Sequence, residues 1–238
     1  MKPLHWHRRA RTQRQSKRPA LWPAFALAPP LGNTGGTLYD MSGNGRHVTH
    51  NGTWATGPSG PNVRLAHASS QAITGPTGVG DVPANGRMAI VLAFRPITIQ
   101  AQSVLASKGA AASNGWYLQS NADRGLNLVT SQSGATQSSF ILTNAYPASG
   151  LTVIVVNIAI PSVRLWCNGV DATTAVEHIQ PVAAAATPLY IGKYSTTGAQ
   201  FFTSMDVEWF SIIERALTTA EIKQLTADVL SALRRGDE

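Results

Sequence analysis

Turn chemistry recurs so often along this chain that long helices have no room before residue 215. Gly32-Asn33-Thr34-Gly35-Gly36, Ser42-Gly43-Asn44-Gly45, Gly57-Pro58-Ser59-Gly60-Pro61 and Gly75-Pro76-Thr77-Gly78 each break or reverse the backbone. Between such clusters lie short apolar runs rich in Val, Ile, Thr and aromatic residues. They predict strands at Met88–Phe94, Ser103–Ala106, Trp116–Gln119, Leu126–Thr130, Phe140–Leu142, Leu151–Ile158, Val163–Cys167, Pro188–Ile191 and Val207–Ile213. Several alternate, as in Val163, Leu165 and Cys167 against Arg164, Trp166 and Asn168. Strand after strand with tight turns and no intervening helix predicts an all-β fold, an antiparallel β-sandwich or jelly roll. No repeat is visible, which excludes a propeller or solenoid.

One helix is expected, and it comes last. Thr218 followed three residues later by Glu221 is a capping box, and Ile222, Leu225, Val229 and Leu233 share one face. Arg234 and Arg235 suit the negative end of its dipole. The stripe packs on its own sandwich or, alternatively, on another subunit.

The formal net charge of +7 is not spread over the fold. Lys2, Arg8, Arg9, Arg11, Arg14, Lys17 and Arg18 crowd the first 18 residues without an acid, and the remaining chain balances 12 basic residues against 12 acidic ones. The expected organisation is a basic, extended arm over residues 1–19, a neutral sandwich over 20–217 and a C-terminal helix over 218–238. The arm is expected to dock on a protein assembly, with salt-sensitive nucleic-acid contact as the alternative. Membrane association is not expected, because the arm has one Trp and no amphipathic face. The stretch from Ala20 to Ala28 superficially resembles a signal peptide. Pro23 interrupts it and Pro29 follows the cleavage-like end, so it is read as the entry to the first strand. A single cysteine, Cys167, excludes an intrachain disulfide and reads as a small buried hydrophobe.

Three motifs, in order, resemble laminin G-like, concanavalin A-like jelly-roll modules. They are Thr37-Leu38-Tyr39-Asp40-Met41-Ser42-Gly43-Asn44-Gly45-Arg46-His47, then Leu165-Trp166-Cys167-Asn168-Gly169-Val170, then Ile212-Ile213-Glu214-Arg215-Ala216-Leu217-Thr218-Thr219-Ala220-Glu221-Ile222. In their own right, Asn168-Gly169 is a hairpin signal and Asp40 is placed to cap the turn after it. The resemblance implies a module that binds glycans, mediates adhesion or serves structurally. It extends more loosely to virion proteins of tailed bacteriophages. It also implies calcium as a structural cofactor, with Asp40, Asp206 and Glu208 as its ligands. Glucanases of this fold carry carboxylates in an E-x-D-x-(x)-E pattern on one strand. Here Ser204 stands where the first glutamate should be, so no enzymatic activity and no catalytic residue are expected. His5, His7, His47, His50, His67 and His178 lack a nucleophile or ligand context. For the carbohydrate-binding alternative, the sugar platform is expected at Trp54, Trp116 and Tyr117. The chain is thus expected to be a structural or decorating virion subunit, with a carbohydrate-binding adhesion module, extracellular or at a cell surface, as the alternative.

Overall fold

The computed structural model describes residues 25–27, 35–58, 60–98, 102–109, 114–132, 135–138, 145–173, 182, 184–194 and 203–234. The basic arm, with Lys2, Arg8, Arg9, Arg11, Arg14, Lys17 and Arg18, lies outside the described residues, as does the strand expected at Phe140–Leu142.

In chain order the strands begin with β1 (Phe25–Leu27), β2 (Thr37–Leu38), β3 (Val48–His50), β4 (Thr53–Gly57), β5 (Gly60–Leu65) and β6 (Ile73–Thr74). The middle of the chain supplies β7 (Arg87–Thr98), β8 (Ser103–Gly109), β9 (Gly115–Ser120), β10 (Leu126–Gln132) and β11 (Ala135–Ser138). Then follow β12 (Thr152–Ala159), β13 (Ser162–Cys167), β14 (Val170–Asp171), β15 (Tyr190–Ile191) and β16 (Ser204–Ile213), and finally the helix α1 (Thr219–Arg234). A single 3-10 turn at His67–Ser69 is the one helical piece before α1 among the described residues.

The strands form two antiparallel sheets of eight strands each. The first runs β14-β13-β12-β7-β16-β5-β4, with β1 added beside β16; the second runs β11-β10-β9-β8-β15-β6-β3-β2. Successive side chains point to opposite faces of a strand. In β7, therefore, Met88, Ile90, Leu92 and Phe94 enter the inter-sheet core, where they meet Leu105, Trp116, Leu118 and Leu128 of the second sheet. Ala89, Val91 and Ala93 face the other way and join Val153, Val155, Trp166 and Ile213 in a second apolar cluster under α1. This explains why β7 and β12 read as continuous apolar runs: both faces of the first sheet are covered.

The expected hairpin and helix cap take the forms their chemistry predicts. Asn168 and Gly169 both have positive φ, 49° and 81°, as a type I′ turn requires. The Asn168 carboxamide also accepts the Val153 amide at 2.8 Å, which ties the turn to β12. At the helix start the Thr218 amide donates to Glu221 Oε2 at 2.9 Å, and the Glu221 amide donates back to Thr218 Oγ1 at 3.3 Å. Arg215 clamps the same carboxylate at 2.8 and 3.1 Å, so the "R-A-L" segment holds its own cap. Those Arg215 hydrogen bonds, helped by the Thr218 amide, lower the Glu221 carboxyl to a pKa of about 2. The helix apolar stripe packs inward, with Ile222 and Val229 buried beneath Leu217 and Trp166. Burying such aliphatic side chains contributes about 1.5–3 kcal/mol each. Cys167 sits in the inter-sheet core, and burial pushes its thiol up to about 11.

Candidate functional site

The three acids nominated for calcium do not converge. Asp40 accepts the Ser42 amide at 2.9 Å, the Ser42 hydroxyl at 2.8 Å and the Arg46 amide at 3.1 Å. Its oxygens are thereby committed to the Ser42-Gly43-Asn44-Gly45 turn. Asp206 is gripped by Arg64 through both oxygens, at 2.8 and 2.9 Å. Glu208 is 2% exposed and paired with Arg95 Nε at 3.0 Å. A register shift between Val207 and Trp209 leaves Glu208 at a bulge, out of step with β7. Burial raises the Glu208 pKa, and the Arg95 hydrogen bond opposes that shift. A hard divalent cation needs six to eight oxygens free to bind it. These carboxylates are held by guanidinium groups or by a turn, so the residues present do not fit the ion. Among the described residues, no three His, Cys, Asp or Glu side chains form a metal-holding group.

The glucanase position has a structural occupation of its own. Ser204 Oγ accepts the His67 amide at 3.0 Å, which fixes the start of the 3-10 turn. His47 Nδ1 accepts the Asp40 amide at 3.1 Å and belongs to the same turn as that aspartate.

The aromatic residues divide by strand alternation. Trp116 is only 1% exposed and donates its Nε1 proton to Gly80 O at 2.7 Å, so the expectation of a surface platform there is corrected: this ring is core. Trp54 is half-buried, donates to Gly35 O at 2.8 Å and meets the edge of His50 at 4.9 Å. Tyr117, next to Trp116, points to the opposite face and stands edge-to-face with Tyr194 at 4.9 Å. Burial raises its phenol pKa.

Tyr117 lies in a continuous cross-strand row. Register places Thr37, Thr49, Thr74, Tyr190, Ser107, Tyr117, Val129 and Ser138 opposite one another in turn, across all eight strands of the second sheet. At strand spacings of about 4.8 Å the row extends roughly 30 Å. Lys193 Nζ lies 4.7 Å from the centre of the Tyr190 ring. Unlike the first sheet, this face is not covered by α1. Ser107 and Val129 are buried within this row, so what it presents is Thr37, Thr49 and Thr74 beside the half-buried rings of Tyr190 and Tyr117, which can meet the apolar face of a sugar and hydrogen-bond its edges.

Sequence reasoning missed the residue that supports this end of the sheet. Lys108 is fully buried, and its Nζ donates to the carbonyl of Thr77, to Thr187 O at 2.5 Å and to Ala185 O at 3.1 Å. Asp81 Oδ2 lies 3.6 Å away. The lysine thus ties the loops at 75–86 and 184–189 to β8, immediately before Tyr190. Its neighbours Ser107 and Gly109 gave no hint of burial, and only the pairing of Lys108 with Trp116 places it inward.

Two packed antiparallel sheets, one of them backed by a helix, define a lectin-like jelly roll. The chain belongs to the concanavalin A-like lectin/glucanases superfamily, whose laminin G model matches residues 67–223. No curated protein matches it. Among solved structures it is similar to the binding domain of Paraclostridial Mosquitocidal Protein 1, with a TM-score of 0.70 and 14% identity over 87% of this chain and 52% of that one. The botulinum neurotoxin serotype G binding domain gives 0.68 and 13%, over 87% and 51%. A botulinum neurotoxin type C structure, described as entering cells through two ganglioside molecules, gives 0.66 and 12%, over 87% and 51%. The chain spans about half the length of these structures, and at such identities the likeness is one of fold.

Proposed function

We propose that this chain is a non-enzymatic binding module, a structural or decorating subunit held on a larger assembly by its basic arm. The observation that carries the proposal is the asymmetry of the two sheets. One outer face is covered by the chain's own helix, while the other presents the exposed Thr49 and the half-buried Thr37, Thr74, Tyr190 and Tyr117 for contact. The arginine-bound state of Asp206 and Glu208 and the structural use of Ser204 support a role without catalysis. The seven cations of the arm supply an anchor suited to an acidic surface. A virion is the assembly we favour, as capsid decoration or another appendage. No helix among the described residues is long and apolar enough to cross a membrane.

The test is deletion of residues 1–18. The shortened chain is expected to remain soluble and folded by circular dichroism but to be lost from assembled particles. Incorporation at the level of the full chain would overturn the docking role, and particle loss restored by an unrelated basic arm would show that charge alone suffices.

A second reading, carbohydrate-binding adhesion, is favoured by the Tyr117–Tyr194 pair beside Tyr190 and Lys193. The neighbouring toxin domains, one described in complex with rat synaptotagmin II and one by interaction with gangliosides, support it as an analogy of fold. On this reading the arm-less chain retains binding on a glycan array, and Y117A/Y194A loses it. Array signals that ignore the double substitution would place the ligand elsewhere.

A further inference from the structure

The acids suggested for a cation are already taken by arginines or by a turn, yet an oxygen cage suited to positive charge exists elsewhere. It surrounds the end of the Lys108 side chain. Three backbone carbonyls converge there, from Thr77 in one loop and from Ala185 and Thr187 in another. The Asp81 carboxylate stands behind them at 3.6 Å and also accepts the Ala185 amide at 2.9 Å, so both loops are joined independently of the lysine. Carbonyl oxygens directed at one buried point, with no amide donating to them among the described residues, are costly unless a cation satisfies them.

We propose that these four oxygens form a monovalent-cation site of the fold, which Lys108 fills from within and which accepts a free ammonium-sized ion when that side chain is shortened. Charge and size select the class of ion. One carboxylate balances one positive charge, whereas a divalent ion leaves an excess charge buried. The separations of 3.1 Å to Ala185 and 3.6 Å to Asp81 are longer than the distances of about 2.3–2.6 Å at which calcium takes its oxygens, and they suit an ammonium. Carbonyl cages replace the hydration shell of monovalent cations in the same way. The chain therefore carries, as a side chain, the ion that orders the loops ahead of Tyr190.

The test uses the full chain carrying K108A, with thermal unfolding followed in ammonium chloride and in choline chloride at equal ionic strength. Choline is too large for the cage. K108A is expected to melt several degrees higher in ammonium, with a Tm that climbs with the logarithm of concentration as native-state binding requires. In wild type and in K108M, whose side chains occupy the cage, the Tm of each protein is expected to be the same in ammonium as in choline, although K108M melts lower than wild type. Adding D81N to K108A is expected to remove most of the ammonium response. Equal melting of K108A in the two salts, an equal response from K108M, or stabilisation by calcium chloride but not ammonium would each overturn the proposal. If K108A does not fold in choline, the yield on refolding becomes the readout: recovery in ammonium supports the site, and failure in both salts overturns it.

Discussion

Replacing Lys108 with methionine is expected to lower the free energy of unfolding by about 3–5 kcal/mol, the usual cost of removing one partner from a buried charged network. Methionine preserves most of the side-chain volume, so the loss is one of donors and charge rather than of packing. The Thr77, Ala185 and Thr187 carbonyls lose the Nζ that binds them, and Asp81 loses its cation. Each orphaned buried acceptor costs about 1–3 kcal/mol, although relaxation of the loops recovers part of the sum. For a domain of this size each kcal/mol moves Tm by about 2–4 °C, so a fall on the order of 10 °C is expected by calorimetry or circular dichroism. The core itself is untouched, because Trp116 keeps its hydrogen bond to Gly80. A K108M chain within a degree or two of wild type would mean that the cage closes at no cost, which the convergence of three carbonyls argues against. On the adhesion reading, the same substitution also weakens the sugar ligand, since the loop at 184–189 leads directly into Tyr190.

What could be read from the sequence was what depends on neighbours in the chain. Asn168-Gly169 specifies its turn by backbone sterics alone, and Thr218 with Glu221 specifies a cap by reach alone. Both appear in the structure as written. The long apolar runs at β7 and β12 were visible because both of their faces are buried, against the second sheet and against α1. Strands β3 to β6 were not, since Thr49, His50, Thr53 and Arg64 make that stretch too polar for an apolar-run criterion. Their pairing is set by partners distant in sequence, such as β16 for β5. The site divides in the same way. Alternation requires Trp116 and Tyr117 to face opposite sides, but which of the two enters the core depends on the sheet stacked against them. Lys108 lies further from reach. A lysine before a glycine reads as the solvated end of a strand, and only loops 31 and 79 residues away make it buried. Asp206 and Glu208 show the converse: their spacing suggested shared chemistry, while Arg64 and Arg95, brought in by neighbouring strands, occupy them separately.

The second large effect is expected from Arg95, through the carboxylate it leaves behind. Arg95→Met strands Glu208, whose side chain is 1% exposed, without its guanidinium partner. At neutral pH the loss is expected to be about 3–5 kcal/mol, because an unpaired buried charge is penalised far more than an intact pair is rewarded. The pH dependence gives the cause. Burial already holds the Glu208 pKa above its ordinary value of 4.5 in the presence of Arg95, and removing Arg95 takes away the leading opposing influence. In the variant, the folded state therefore binds this proton more tightly than the unfolded state does. Stability then falls as pH rises through the interval between the unfolded and folded pKa values, and remains low above it. The deficit relative to wild type is thus expected to shrink on acidification toward pH 4.5 and to be largest at pH 7, as read from urea midpoints at the two pH values. A deficit independent of pH would assign the loss to packing of the arginine stem instead. Removing the charge as well separates these accounts: R95M/E208L is expected to recover most of the stability, since a buried ion pair replaced by apolar groups of similar volume is commonly neutral or better. Recovery in the double variant would also bear on function, because a Glu208 that can be exchanged for leucine without loss of binding serves as a structural counter-charge and not as a ligand or an acid.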